Sequence, residues 1–391
     1  MNAEARPAPT QAPTSPADFL APVFTQYPIE VVAADGVWLH TRDGRRVLDL
    51  YGGHAVAALG YGHPGWTAAL TRQAQAVNFQ SNAVPMDVRV RAAQRLLRFA
   101  NAARGSGRSP AQARFDSVFF VNSGAEANEN ALKMAFRMTA RTHVAAVEGS
   151  FHGRTAGAGA LTWGAREKWY GFPRTPFDVS FMPRRDSAAM ALHVTQHTAA
   201  VLVEPVQGVG GAFDMGAAFL QALRARCDEV GALLIFDEVQ CGVGRTGHPF
   251  AADLYDVTPD MITTAKALGN GFPCAALLSS PRVTAQIGLD ALGTTFGGGP
   301  MACAVIEAVI EAIESEGLLA NVRRVGDYIR NTCLVGPVVA HQGAGFLTGL
   351  RTTRPAKEVQ AALLARDILT GTSSDAHIVR LLPPYILQES H

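Results

Sequence analysis

Three stretches of this sequence hold residue types that could do chemistry. Lys266 is the only charged residue in Met261–Phe272, MITTAKALGNGF. Apolar surroundings disfavour an ammonium, so the free amine is available as a nucleophile or to form a Schiff base with a carbonyl. The same window also suits a lysine whose stem lies along a strand end with its head in water. Asp237 closes the apolar run Leu233-Leu234-Ile235-Phe236 and is followed by Glu238. Acids at the carboxyl end of a buried parallel strand stand where open α/β sheets bind ligands, although a solvated strand end reads the same way. If strand alternation continues, Asp237 and Val239 share one face and Glu238 and Gln240 the other. Ser123-Gly124-Ala125-Glu126 follows the apolar run ending FFVN. Ser123 can cap a helix there, with Glu126 completing a capping box. Free N–H groups at such a start bind phosphate, and Gly124 permits close approach, though a plain capped helix has the same signature.

Arg154, in FHGRT, and Arg380, in VRLLPP, are isolated cations among small or apolar residues. Guanidinium is the usual bidentate partner of carboxylate, in a ligand or in a structural ion pair. His152 reads as a hydrogen-bonded core residue with no catalytic role. The glycines of EPVQGVGG fail as a dinucleotide loop, because Phe213 stands where the third glycine belongs.

These residues need a scaffold, and the composition supplies one. The 391 residues, 48% hydrophobic and 17% charged, exceed what one domain of ~150 residues needs and can bury a large core. Thirty-four basic against 33 acidic residues give a net charge of +1, which argues against nucleic acid or an anionic membrane as the main partner. No apolar run approaches the ~18 residues of a membrane helix. Four prolines in the first 20 residues, with no apolar stretch, give no secretory signal. Five scattered cysteines fit a reduced cytoplasmic enzyme without a metal site better than a disulfide scaffold.

A proline- and alanine-rich flexible tail is expected over 1–17. Short β patterns follow at Ile29–Ala33, Val37–Thr41 and Arg46–Tyr51, separated by Asp-Gly turns. Helices are expected near 65–77 and 87–99, and a solvated loop over 100–114. From there apolar runs alternate with helical stretches: Ser117–Val121, Val144–Val147, Val179–Met182, Ala199–Val203, Leu233–Phe236, Met261–Thr264 and Ala275–Ser279. Continuous rather than alternating runs imply strands covered on both faces, hence an α/β fold with a mostly parallel sheet. The stretch 301–332 reads as helix. A large central domain flanked by a smaller α/β domain built from both chain ends is expected.

Taken in order, FFVNSGAEANENALKMA (119–135), FHGRT (151–155), EPVQG (204–208), LLIFDEVQCGVGRTG (233–247), ITTAKALGNGFPCAALL (262–278), GTTFGGGPMACA (293–304) and VRLLPP (379–384) resemble the class III, pyridoxal 5'-phosphate-dependent aminotransferases of fold type I. The resemblance implies a small domain from 18–75 and 306–391 around a large cofactor-binding domain over 76–305. It implies a homodimer and a further helix beyond the present C-terminus. Lys266 resembles the lysine that carries the cofactor and moves the proton, and Asp237 the acid paired with the ring nitrogen. Gln240 matches the residue bonding the ring hydroxyl, with Val239 and Phe151 on the two ring faces. Ser123, Gly124 and Ala125 match the phosphate loop, completed by Thr295 of a neighbouring subunit.

FHGRT and VRLLPP are similar to the ornithine and acetylornithine branch, and the loop GGHAVAALGYGHP (52–64), without the aromatic side chains of the ornithine enzymes, to its acetylornithine members. That implies transfer of the ω-amino group of N-acetylornithine to 2-oxoglutarate, giving N-acetylglutamate semialdehyde and glutamate, in arginine biosynthesis. Arg154 resembles the residue gripping the α-carboxylate of acetylornithine and Arg380 the one for glutamate. Glu204 resembles a gate over an arginine, and Thr294 a residue reaching the neighbour's substrate. The chain departs from the family's pattern at His54, Ala57, Val209 and Gly299, positions that bear on which acyl group is accepted. Succinylornithine, ornithine or a carrier-bound amine are the alternative donors. A non-catalytic regulator that binds the cofactor is disfavoured, since no DNA-binding module is visible.

Overall fold

The computed structural model describes residues 19–102 and 114–391. The tail expected over 1–17 and most of the loop expected over 100–114 lie outside the described residues.

The apolar runs form one seven-stranded sheet, ordered Ser117–Val121, Ala275–Ser279, Met261–Thr264, Leu233–Asp237, Thr198–Val203, His143–Val147 and Asp178–Met182. All neighbours pair in parallel except Ala275–Ser279, which runs antiparallel to both of its partners. Thr198–Val203 and Leu233–Asp237 are buried at every residue, as continuous apolar runs require. In this sheet strand bounds differ from the sequence expectation by at most one residue, because a strand end is set by its partner's register rather than by its own hydropathy. Helix Gly124–Thr139 lies across the sheet and buries Ala127, Asn128, Ala131, Leu132 and Ala135.

The stretch 301–332 is helical as expected, in two helices, Pro300–Ser315 and Leu318–Thr332. Gly317 between them has a φ of 64°, a left-handed conformation that ends a right-handed helix. Near the N-terminus, Val31–Asp35, Trp38–Thr41 and Arg46–Asp49 form an antiparallel meander. Its last strand pairs in parallel with Ile368–Leu369, so the two ends of the chain share one sheet. A second sheet orders Val338–Ala344, Leu347–Thr352, Ile378–Leu381 and Gly371–Thr372, and Arg380 sits in its third strand. No helix of the described residues is long and apolar enough to cross a membrane.

Candidate active site

The loops leaving the carboxyl ends of the parallel strands converge on one cleft, where a parallel α/β sheet concentrates exposed backbone and strand-end side chains. Gly124, Ala125, Phe151, Glu204, Val209, Asp237, Val239, Gln240 and Lys266 line about 110 Å³ of space there.

Asp237, the last residue of its strand, is 3% exposed. Three donors converge on its carboxylate: His152 Nδ1 at 2.7 Å and Asn128 Nδ2 at 2.8 Å on one oxygen, and the Val239 amide at 3.0 Å on the other. Thr263 Oγ1 in turn donates to Asn128 Oδ1 at 2.6 Å, which fixes that amide's orientation. Held in this way, the carboxylate has about one acceptor site left for a ligand. His152 is the hydrogen-bonded core residue expected, but its partner, and any part for Asn128, escaped the sequence reading. Asn128 lies four residues after Gly124, on the same helix face, and that spacing is the signal that could have found it. Glu238 points away from the cleft and accepts the amides of Ala251 and Ala252, capping the short helix there. Gln240 does not share its face, contrary to the alternation expected. The strand ends at Asp237, and the following turn swings Gln240 into the cleft.

Ser123 caps helix Gly124–Thr139 by accepting the Glu126 amide at 3.2 Å. The capping box is not closed in the expected way: the Glu126 carboxylate takes the Asn122 amide and side chain instead of the Ser123 amide. No acceptor among the described residues takes the amides of Gly124 and Ala125, which line the cleft at the positive end of the helix. A Cβ at Gly124 would lie 2.7 Å from Val239, so only glycine lets the helix start against that side chain.

Lys266 follows strand Met261–Thr264 and adopts a φ of 48°, a strained conformation for a residue with a Cβ. No ion pair among the described residues involves its amine. Burial holds the ammonium below the usual lysine range, opposed by Asp237 and Glu204 and reinforced by Arg380.

Arg380 is 4% exposed. Its Nε donates to Thr372 O at 2.7 Å and its Nη1 to Gln240 Oε1 at 3.3 Å. No carboxylate lies within ion-pair distance of it among the described residues, so the structural ion pair left open by the sequence is not what holds it. Glu204, the expected gate, accepts the amides of Phe151 at 2.8 Å and Gly208 at 2.9 Å. Burial pushes its carboxyl up to about 7, against the pull of His152.

The remaining expected residues stand apart. Arg154 is exposed, with its guanidinium 4.6 Å from the centre of the Trp169 ring. Thr294 accepts from Asn122 at 3.1 Å and from the Gly297 amide at 3.2 Å within its own loop. Thr295 and Phe296 are exposed beside it.

An unpaired amine, a fixed carboxylate and open amides at a helix start form a donor set for one kind of ligand. It would carry a carbonyl for the amine, a basic ring nitrogen for the carboxylate and a phosphate for the amides. Pyridoxal 5'-phosphate has these three features, and the residues present fit it. Among the described residues no cluster of three or more His, Cys, Asp or Glu side chains could hold a metal ion.

A family model described as Aminotransferase class-III matches residues 20–391. Acetylornithine aminotransferase of Streptomyces coelicolor is 42% identical over 91% of this chain and 86% of its own length. Acetylornithine aminotransferase of Rhodobacter capsulatus is 38% identical over 94% and 93%. Among solved structures, acetylornithine aminotransferase of Elizabethkingia anophelis superposes with a TM-score of 0.81 at 27% identity, covering 95% of this chain and 92% of that one. Ornithine aminotransferase of Toxoplasma gondii does so with a TM-score of 0.85 at 25% identity over 95% and 89%.

Proposed function

The chain belongs to the class III aminotransferases, and from that premise we propose that it transfers the ω-amino group of N-acetylornithine to 2-oxoglutarate, releasing N-acetylglutamate semialdehyde and glutamate in arginine biosynthesis. The observation that carries this reading is Arg380: a buried guanidinium without a counter-charge, next to Gln240 at the cleft of a half-buried lysine. A desolvated cation is costly unless a partner arrives, and a substrate carboxylate is such a partner.

Enzymes of this class work with pyridoxal 5'-phosphate. Ser123, Gly124 and Ala125 would hold its phosphate, with Thr295 of a second copy. Asp237 would take the ring nitrogen, Gln240 the ring hydroxyl, Val239 and Phe151 the two ring faces, and Lys266 the covalent link. When bound, that group supplies an electron sink, which lets the hydrogen beside the reacting amine leave as a proton. The chain's own residues do the rest. Asp237, pinned by His152, Asn128 and the Val239 amide, would pair with the ring nitrogen and help keep it protonated. Lys266, with its ammonium disfavoured by burial, carries the proton from the donor carbon and returns it on the other side of the exchange. Arg380 orients glutamate and 2-oxoglutarate by one carboxylate, and Arg154 orients acetylornithine by its α-carboxylate. Glu204 swings from its amide donors to cover Arg380 when the ω-amine donor is bound. The working form is a homodimer, in which Thr294 and Thr295 complete the neighbour's site. Five free cysteines suit a reducing compartment such as the cytoplasm.

A panel of amine donors with 2-oxoglutarate, followed by glutamate formation, tests the reading. Acetylornithine should give the highest kcat/KM. A higher value with succinylornithine, ornithine or a carrier-bound amine would reassign the donor.

A further inference from the structure

Residues 52–55 form a left-handed helical turn. φ is 54° at Gly52, 55° at Gly53, 65° at His54 and 66° at Ala55. The two glycines adopt this freely, but His54 and Ala55 bring a Cβ against the following carbonyl. Consecutive strained residues persist only where their surroundings over-determine them, and they gather at functional sites.

The surroundings here are specific. Asp49 Oδ1 accepts the amides of Tyr51 and Gly52, each at 2.8 Å, and so starts the turn. A Cβ at Gly52 would lie 2.6 Å from Leu382 O, so the turn sits directly on the chain leaving Arg380. The two strained residues present successive carbonyls, and two side chains from the segment after Asp237 hold them. Gln240 Nε2 donates to His54 O at 3.2 Å, and Arg245 Nη2 to Ala55 O at 3.3 Å. Each holder also reaches the C-terminal segment: Gln240 Oε1 accepts from Arg380, and Arg245 Nη1 donates to Pro383 O.

Gln240 is already part of the site. Arg245 lines neither the cleft nor Arg380, yet it is wholly buried and stacks 4.6 Å over the Tyr385 ring. None of the ion pairs among the described residues includes it. Leucine or methionine would fill such a space without desolvating a charge. What they lack is a fork of donors that spans two carbonyls on separate segments.

We propose that Arg245 is a positioning residue for substrate-carboxylate binding. Its guanidinium ties the strained Gly52–Ala55 turn to the chain just beyond Arg380, so that both move as one wall and Arg380 keeps its direction toward the cleft. This rests on Arg380 being the group that binds the glutamate and 2-oxoglutarate carboxylate.

Arg245→Lys in the holoenzyme tests it. The ammonium keeps the charge but cannot span both carbonyls. The apparent KM for glutamate and 2-oxoglutarate should rise about tenfold or more, while kcat of the acetylornithine half-reaction stays within about threefold. A purely structural role would lower Tm and leave both KM values unchanged, which would overturn the proposal. Hydrogen exchange on the unmodified holoenzyme decides it even if the variant does not fold. The amides of Val56, Leu382 and Tyr385, which donate to Gly52 O, Leu50 O and Ala58 O at 2.7 Å each, should open together. Glutarate should slow all three by the same factor. Independent opening, or protection of Leu382 without Val56, would contradict the single wall. Arg380→Ala separates the two failures. Unchanged KM for 2-oxoglutarate in that variant defeats the carboxylate assignment itself. A raised KM there with none in Arg245→Lys defeats only the role of Arg245.

Discussion

The floor of the cleft and its rim are built on different terms. At the floor, Asp237 is 3% exposed and its carboxylate is held by donors from three segments of one chain. At the rim, on the loop whose Thr294 meets Asn122, Phe296 is 66% exposed, and Thr295 beside it is exposed too. Phe79 and Phe296 pair at 5.4 Å with much of both rings in solvent. A floor complete within one chain fixes charge and direction without any partner. An apolar rim left open marks a surface that another protein covers, and a second copy of this chain is the occupant proposed above. On that proposal the interior holds the chemistry, and anion capture at the mouth depends on assembly.

That contrast can be broken at several points. Lys266→Ala should reduce transamination to background while the fold stays intact, since no other amine lines the cleft. Borohydride treatment of the native enzyme should fix the cofactor onto the Lys266 peptide, and retention of near-native activity by the variant would remove the lysine from its role. Asp237→Asn should lower kcat by several orders of magnitude with little change in Tm, at about 1.4 kcal/mol of barrier per tenfold. A loss below about tenfold would show that the fixed charge is dispensable. Arg380→Ala should cost the glutamate half-reaction on the order of 2–5 kcal/mol and the acetylornithine half much less. Stopped-flow measurement of the two halves reads this directly.

The rim is tested by mixing. Lys266→Ala chains and an inactive Thr295 variant, combined under subunit exchange, should recover roughly a quarter of native activity, because half of the dimers are mixed and each has one intact site. Exchange without recovery would place Thr295 in its own subunit's site.

The smallest effect is on pH dependence. Burial raises the Glu204 carboxyl to about 7, so the folded protein holds that proton more tightly than the unfolded chain. The wild type should therefore lose stability relative to Glu204→Gln as pH rises from about 5 through 7, by on the order of 2 kcal/mol. A constant Tm difference across that range would mean that the carboxyl is ionised throughout.

Much of the floor was legible in the sequence. Strands buried on both faces read as unbroken apolar runs, and Asp237, Lys266 and Gly124 stand where such runs end. The clamp on Asp237 was not legible, because His152 and Asn128 reach it across 85 and 109 residues of sequence. Gln240 was assigned the wrong face because alternation was carried one turn past the strand. The left-handed turn at His54 and Ala55 left no trace either, since neither residue type announces a positive φ without the carbonyl partners that hold it. Arg154 and Thr295 were legible as types, but one chain alone leaves both exposed.

The most direct test of the transfer itself is a pair of single turnovers. Enzyme loaded with pyridoxal 5'-phosphate and mixed with acetylornithine alone should release one equivalent of N-acetylglutamate semialdehyde per Lys266. After removal of that product, 2-oxoglutarate alone should release one equivalent of glutamate and restore the starting spectrum. Aldehyde release that requires 2-oxoglutarate to be present, or glutamate formation without prior amine donor, would contradict the account.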